Sequence, residues 1–125
     1  MSRDIVRTKD APESPLYSQA VKAAGLIFVS GQSGQDPRTG TFAGATIKEQ
    51  THQSLLNIKA ILEAAGSSMG KIVSATFILR HPEDFADMNQ VWDSWFHDDP
   101  PARQGAQLPV NVEGLLVSIA VIATQ

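Results

Sequence analysis

Cysteine is absent from the 125 residues of the sequence. Its absence excludes a disulfide scaffold, a thiolate nucleophile and a cysteine-ligated zinc site. Basic residues are also few: 10 Lys and Arg stand against 13 Asp and Glu, the net charge is −3, and no basic cluster is present. Without a basic patch the protein lacks the electrostatic footprint that a phosphate backbone requires, so nucleic acid is not expected as the main partner. An anionic small molecule remains compatible with the sequence, because one arginine can outweigh the overall charge locally.

Long hydrophobic runs are absent as well. No stretch approaches the roughly 18 apolar residues that a membrane-spanning helix needs, and the N-terminal segment MSRDIVRTKDAPESP lacks the apolar core of a signal peptide. We therefore expect a cytoplasmic protein with no membrane partner. The length, the 42% apolar fraction and the lack of a linker or repeat predict a single globular domain over residues 1–125.

The order of predicted elements indicates an α+β fold. The sequence predicts strands at Asp4–Thr8, Ser18–Ala23, Leu26–Gln32, Lys71–Leu79 and Leu115–Ala123, and a short extended piece around Arg103–Leu108. In Lys71–Leu79 β-branched residues stand at alternate positions. A first helix is predicted from the capping box Thr46-x-x-Glu49 to a stop near Gly66, and a second from Pro82 to Pro100. The order is therefore β-β-β-α-β-α-β-β, in which two helices pack on one face of a sheet.

Both predicted helices carry an apolar stripe at helical spacing, which we expect to face the core. In the first helix the stripe is Ile47, Thr51, Leu55, Ile58 and Leu62. In the second it is Phe85, Met88, Trp92 and Trp95. The two tryptophans are therefore interpreted as core residues.

The final strand is apolar on both of its faces. One face carries Leu115, Val117, Ile119 and Val121, and the other carries Leu116, Ala120 and Ile122. Such a strand requires cover on both sides, yet two helices cover only one face of a sheet. Since nothing else in the chain remains for the second face, we infer a homo-oligomer whose bare sheet faces pack together.

An arginine on a stiff mount follows the second predicted helix. The segment HDDPPARQGAQLP, residues His97–Pro109, places Arg103 after two prolines, which lock their φ angles and disfavour helix at the preceding residue. An arginine held in this way can present its fork of N–H donors to a carboxylate at one angle. The alternative is an ordinary surface arginine paired with Asp98 or Asp99.

Motifs spread over nearly the whole chain resemble those of the RidA family. They are TKDAP, YSQAV, FVSGQ, DPRTG, EQTHQSLLNIKAILEAAGSS, FADMNQVW and PPAR, in the family's order. The resemblance implies a homotrimer with a chorismate-mutase-like fold, a single mixed sheet of about six strands and ligand sites in the clefts between subunits. It also implies hydrolysis of reactive enamines and imines, such as 2-aminoacrylate and its imine, to 2-keto acids and ammonia. No cofactor is expected.

The resemblance also implies which residues bind the substrate. Arg103 matches the family arginine that grips the substrate carboxylate, and Tyr17 matches a tyrosine that lines the cleft. Asn89 matches an asparagine of the second helix. Ser30 and Gly31, in FVSGQ, match residues at the end of a strand, of which the glycine offers a backbone contact.

Three positions near the implied site depart from the family pattern. Gln104 and Gly105 stand where many members have a serine and then a cysteine or threonine near the ligand. Ser118 stands where the hydrolytic members carry a glutamate that positions the attacking water. We take Arg103 and Ser118 as the candidate catalytic residues. Ser118 can hydrogen-bond a water but cannot take its proton at neutral pH, so slow turnover is expected.

Structural roles compete with several of these assignments. Tyr17 could instead pack at an interface with its hydroxyl hydrogen-bonded. Asn89 could make a helix-to-loop hydrogen bond, and Ser118 could be only a small residue that permits close packing of subunits. Two further functions also stay open: a module that binds a small carboxylate without turnover, and RNA cleavage, which older names of the family suggest. The charge balance and the lack of a paired His or Lys catalyst count against RNA cleavage.

Metal and phosphate sites are not expected. His52, His81 and His97 are not at ligand spacing with one another, and His52 is interpreted as a solvated residue. The glycine-rich segment Gly31–Gly44 lacks the Lys-Ser/Thr pair of a phosphate loop and does not lead directly into a helix. We interpret it as a mobile rim.

Overall fold

The chain begins with three antiparallel strands. In the computed structural model, which describes residues 2–125, β1 spans Asp4–Val6, β2 spans Ala20–Ala23 and β3 spans Leu26–Ser33. Ala24 and Gly25 join β2 to β3, and both have positive φ (55° and 79°). A two-residue hairpin of type I′ requires this conformation at both positions, and glycine adopts it without steric cost.

The remaining elements follow in the predicted order. They are α1 at Ile47–Ala64, β4 at Ile72–Leu79, α2 at Phe85–Trp95, β5 at Ala102–Gln107 and β6 at Val117–Thr124. Single 3-10 turns at Met69–Lys71 and Pro82–Asp84 precede β4 and α2. The predicted α+β fold is confirmed, with element ends shifted by a few residues.

All six strands form one mixed sheet in the order β1-β2-β3-β6-β4-β5. Every pairing is antiparallel except that of β4 with β5, which is parallel because α2 crosses over between them. The last strand of the chain, β6, therefore lies inside the sheet, whereas β5 is an edge strand. The position of β5 at the edge brings its side chains beside α2.

The start of α1 has the predicted cap. Thr46 Oγ1 accepts a hydrogen bond from the backbone N–H of Glu49 at 3.2 Å and also lies 2.8 Å from the Glu49 carboxylate. The helix ends at Ala64, just before Gly66, whose φ of +82° favours glycine. The predicted stripe of α1 is confirmed, since all five of its members are buried: Ile47, Thr51, Leu55, Ile58 and Leu62.

The second helix differs from the prediction in two ways. It ends at Trp95 rather than at Pro100, because Phe96 leaves the helical region and Asp99 has a positive φ (49°) ahead of the proline pair. Its stripe is also only partly core: Met88 and Trp92 are buried, Trp95 is half-buried and Phe85 is 43% exposed. The core interpretation is therefore confirmed for Trp92, whereas Trp95 packs at the margin of the core, with its ring beside His52 of α1.

The two faces of the sheet have different environments. Along β6, Val117, Ile119, Val121 and Ala123 are buried beneath the helices. The intervening Ala120 and Ile122 face the opposite side, where Phe28 of β3 is 41% exposed. An apolar sheet face is thus left bare on the single chain, as the sequence predicted. No helix within residues 2–125 is both long and apolar enough to cross a membrane.

Candidate functional site

Arg103 lies on the helix side of the sheet. It is the second residue of β5, and its register partner on β4 is Ala75, which is buried beneath the helices. One guanidinium nitrogen, Nη1, donates a hydrogen bond to Asn89 Oδ1 of α2 at 2.7 Å. The sequence-predicted pair of Arg103 and Asn89 is therefore brought together, with the asparagine bound to the arginine within one chain.

Three aromatic rings surround the same guanidinium. Arg103 Cζ lies 4.7 Å from the ring centroid of Phe77, 5.1 Å from that of Trp92 and 5.5 Å from that of Phe85. At these distances each ring attracts a cation, by about 0.5–1 kcal/mol at an exposed site. Burial against these groups lowers the pKa of Arg103 from its ordinary value, although an arginine stays protonated in proteins.

The alternative of a surface ion pair does not describe this arginine. Within residues 2–125, no carboxylate lies within 4.0 Å of the Arg103 guanidinium, so neither Asp98 nor Asp99 is its partner. Asn89 is a neutral acceptor and leaves the positive charge unneutralised. A cation that is fixed in place but not neutralised is suited to bind an anionic ligand.

Ser118 lies on the opposite, bare face of the sheet. Its register partners are Ser33 on β3 and Ile78 on β4, and its neighbours Val117 and Ile119 point into the core. The Ser118 Oγ is so close to Gly31 that a Cβ atom at Gly31 would lie 2.7 Å from it. Only glycine leaves enough room here for the serine hydroxyl.

A cavity of about 520 Å³ opens beside Ser118. Its lining includes three sequence-predicted residues, Tyr17, Gly31 and Ser118, and the apolar side chains of Phe42 and Leu115. Tyr17 is 54% exposed. Within one chain, therefore, Tyr17, Gly31 and Ser118 lie together at this cavity, and Arg103 and Asn89 lie together on the other side of the sheet.

Ser30 supports the tyrosine segment through its hydroxyl. Its Oγ donates to the backbone carbonyl of Ser18 at 2.6 Å, and its backbone N–H donates to the carbonyl of Gln19 at 2.9 Å. The segment that carries Tyr17 is thereby tied to β3. The hydroxyl of Ser30 is thus engaged in holding the segment that presents Tyr17.

The two residues after Arg103 point to different sides of β5. Gln104 faces the bare side, where its Nε2 donates to Thr76 Oγ1 at 3.2 Å. Gly105 faces the helix side, opposite Phe77 in the parallel register. Of these two predicted ligand contacts, only Gly105 therefore shares a side of the sheet with Arg103.

Gln50, a buried amide of α1 that sequence reasoning missed, joins the two loops around the cavity. Its Nε2 donates to the carbonyls of Gly44 at 2.9 Å and Gly114 at 2.8 Å, and its Oε1 accepts from the N–H of Leu116 at 3.0 Å. These three bonds satisfy the amide, which is 1% exposed. The loop after β3, interpreted from sequence as a mobile rim, is therefore anchored at Gly44.

Two more buried polar residues of α1 hold the end of β3. Ser54 Oγ donates to the carbonyl of Gln32 at 2.6 Å. Asn57 Nδ2 donates to the carbonyls of Ser33 at 3.2 Å and Gln35 at 2.8 Å. No sequence signal separates such residues from solvated ones, although their helical spacing with the apolar stripe places them beside the core.

The histidines do not form a cluster. Among residues 2–125, no group of three or more His, Asp or Glu side chains is placed to hold a metal ion. His52 is exposed, as predicted, but its ring also contacts Trp95, whose Nε1 lies 3.4 Å from His52 Nδ1.

The geometry defines an α+β protein with an arginine that no carboxylate neutralises on one side of the sheet and a cavity of mixed polar and apolar lining on the other, within residues 2–125. A family model described as endoribonuclease L-PSP matches residues 8–125. A RutC family protein from Pyrococcus horikoshii is 41% identical over 123 residues, which cover 97% of each chain.

Two further relatives extend the comparison. A 2-iminobutanoate/2-iminopropanoate deaminase from Bos taurus is 38% identical over 98% of this chain and 90% of its own. The crystal structure of RidA from an Antarctic Psychrobacter superposes with a TM-score of 0.91 at 36% identity, covering 98% of this chain and 99% of the other. The chain therefore belongs to the RidA, or endoribonuclease L-PSP, family.

The contact between Gly31 and Ser118 leads to a first prediction. Gly31→Ala should lower the melting temperature, because the new methyl group would lie 2.7 Å from Ser118 Oγ. Adding Ser118→Ala should restore much of the loss, since it removes the clashing oxygen. Thermal unfolding of the two single variants and the double variant measures this coupling. Additive losses in the double variant would show that the two residues do not touch.

Proposed function

We propose that this protein hydrolyses small reactive enamines and imines of amino acids, of the 2-aminoacrylate type, to 2-keto acids and ammonia. The observation that carries the proposal is the guanidinium of Arg103, which is fixed by Asn89 and three aromatic rings and has no carboxylate partner within residues 2–125. The substrate's carboxylate would complete this site through a bidentate pair. Relatives named as 2-iminobutanoate/2-iminopropanoate deaminases support the same chemistry.

The reaction requires little from the protein beyond positioning. Water adds to the electrophilic imine carbon, and the resulting tetrahedral carbinolamine then breaks its C–N bond as a proton passes to the departing nitrogen. The products are a 2-keto acid and ammonia. Holding the carboxylate on Arg103 fixes the imine carbon relative to the water, which is the main contribution that a site without a strong base can make.

Ser118 limits the rate in this proposal. A correctly placed acid or base typically contributes about 10²- to 10⁴-fold, and a serine hydroxyl can orient water without taking its proton. The serine at this position also favours a second candidate function, in which the cleft binds a small keto acid without turnover. The two candidates share the carboxylate site and differ only in whether ammonia is released.

A complete site requires a second copy of the chain. Because Arg103 and Ser118 lie on opposite sides of one sheet, neither residue of a single protomer can act on a substrate held by the other. The bare sheet face, with Phe28, Ala120 and Ile122, offers an apolar surface for association. We therefore place the active cleft between subunits of a homotrimer, where Arg103 of one copy faces the Ser118 cavity of the next.

The function is tested by replacing the anchor. Arg103→Ala should lower kcat/KM for 2-aminoacrylate, generated in the cuvette and followed as pyruvate, by about 100-fold, since two charge-assisted hydrogen bonds are lost. Arg103→Lys should fall between this variant and the wild type, because it keeps the charge but not the fork. Arg3→Ala, which removes an exposed arginine, is the control. Equal rates for the wild type and Arg103→Ala would refute the proposal.

The role of Ser118 is tested by adding a carboxylate. Ser118→Glu should raise kcat about tenfold or more, because a base would then face the attacking water. Ser118→Gln has the same size without the charge and should leave kcat near the wild-type value. A rate for Ser118→Glu at or below that of Ser118→Gln would show that this side chain does not face the water.

The assembly is tested on the bare face. Ile122→Glu should change the particle mass, measured by light scattering, from three times the 13.4 kDa of the chain to a single chain, and should abolish hydrolysis. Leu56→Glu, which places the same charge on the outer surface of α1, should stay trimeric and active. A wild-type preparation that is monomeric and active would contradict the shared cleft.

A further inference from the structure

A glycine and an aromatic ring face each other on neighbouring strands beside Arg103. Gly105 comes two residues after Arg103 on β5, and its register partner on β4 is Phe77. A Cβ atom at Gly105 would lie 2.7 Å from Cε1 of the Phe77 ring and closer still to Cζ and Cε2. A side chain at position 105 and the ring in its present place therefore exclude each other.

The same ring supports the guanidinium. Of the three rings around Arg103, that of Phe77 is nearest, at 4.7 Å from Cζ. Phe77 also packs on Phe85 of α2, with 5.6 Å between centroids and 31° between planes. Phe77 is the only one of the three that belongs to the sheet, so its contact joins the guanidinium to β4 as well as to α2.

One hydrogen bond does not fix the plane of a guanidinium. Nη1 of Arg103 donates to Asn89, and the group can still turn about that bond unless a surface restrains it. A bidentate pair with a carboxylate needs a defined plane, because both N–H bonds must align at once. The face of an aromatic ring provides such a restraint, since the cation is attracted to the face and excluded from the volume behind it.

We propose that Phe77 is the positioning residue for Arg103, and that position 105 is a glycine because the ring needs that space. The inference rests on the proposed function, in which Arg103 holds the ligand's carboxylate. It adds that the ring of Phe77 fills the space beside Arg103 that a side chain at position 105 would otherwise occupy. Gly105 then acts by making room for the ring.

The test compares the wild type, Phe77→Leu, Gly105→Ala and the double variant. Phe77→Leu should raise KM for 2-iminopropanoate, and Kd for 2-oxobutanoate by calorimetry, about three- to tenfold, while kcat changes less. Gly105→Ala should raise both constants and also lower the melting temperature, because its methyl group displaces the ring. In the double variant the shorter leucine leaves room for the methyl group. Its melting temperature should recover while Kd stays high.

Comparing the melting temperature with Kd across these variants distinguishes a positioning role of Phe77 from a packing role. If Phe77 only packed, stability and affinity would recover together in the double variant, which would overturn the inference. Ile61→Val is the packing control: it removes a methyl group from a fully buried side chain of α1. It should lower the melting temperature and leave Kd within about twofold of the wild type.

An NMR experiment tests this inference independently of the proposed function. Ring currents of Phe77 shift the NMR signals of the Arg103 side chain, which are assigned by their loss in Arg103→Lys. Phe77→Leu should move these signals in the ligand-free protein, whether or not it hydrolyses imines. If the wild type and Arg103→Ala hydrolyse 2-iminopropanoate and bind 2-oxobutanoate equally well, the proposed function fails. The NMR experiment alone then decides the inference about Phe77. Unchanged Arg103 signals in Phe77→Leu would overturn it.

Discussion

The candidate site depends on one arginine whose charge is held in place without being neutralised. Arg103 is fixed from the helix by Asn89 and Trp92 and from the sheet by Phe77, while no carboxylate pairs with it within residues 2–125. The crossover through α2 makes this possible, because it places β5 at the sheet edge with the helix beside it. Partial desolvation of a cation is unfavourable unless a ligand or the protein compensates for it. Within the chain this compensation comes from aromatic faces and a neutral amide, so no carboxylate of residues 2–125 neutralises the charge.

The shape of the cavity beside Ser118 depends on buried polar side chains of α1. Gln50, Ser54 and Asn57 on α1 bond to backbone carbonyls at the end of β3 and in the two loops that follow β3 and β5. Each hydrogen bond satisfies a backbone carbonyl. A buried carbonyl without a partner would cost about 1–3 kcal/mol of stability. The helix thus sets the shape of the cavity beside Ser118 through hydrogen bonds, while its apolar stripe holds it on the sheet.

Most of the fold could be predicted from sequence, because it depends on local signals. Apolar patterns located both helices and the strands other than β5, and the capping box at Thr46 located the start of α1. The segment that forms β5 was predicted only as a short extended piece after the proline pair. The early end of α2 was missed because it depends on the backbone of Phe96 and Asp99. At the site, motif resemblance selected Arg103, Asn89, Tyr17 and Ser118, but sequence could not show that they divide between two sides of one sheet. That division depends on strand register, which is a long-range property. Phe77 and Gln50 were missed because nothing in the sequence around a phenylalanine or a glutamine shows which distant residue its side chain contacts.

The position of β5 at the edge of the sheet has a consequence for aggregation of the isolated chain. All six residues of this outermost strand are exposed, and along one margin its backbone N–H and C=O groups have no neighbouring strand. A free margin of this kind is a template on which another chain can add as a strand, and the segment has no lysine or proline to discourage it. An isolated copy of the chain is therefore at risk of open-ended stacking along this margin.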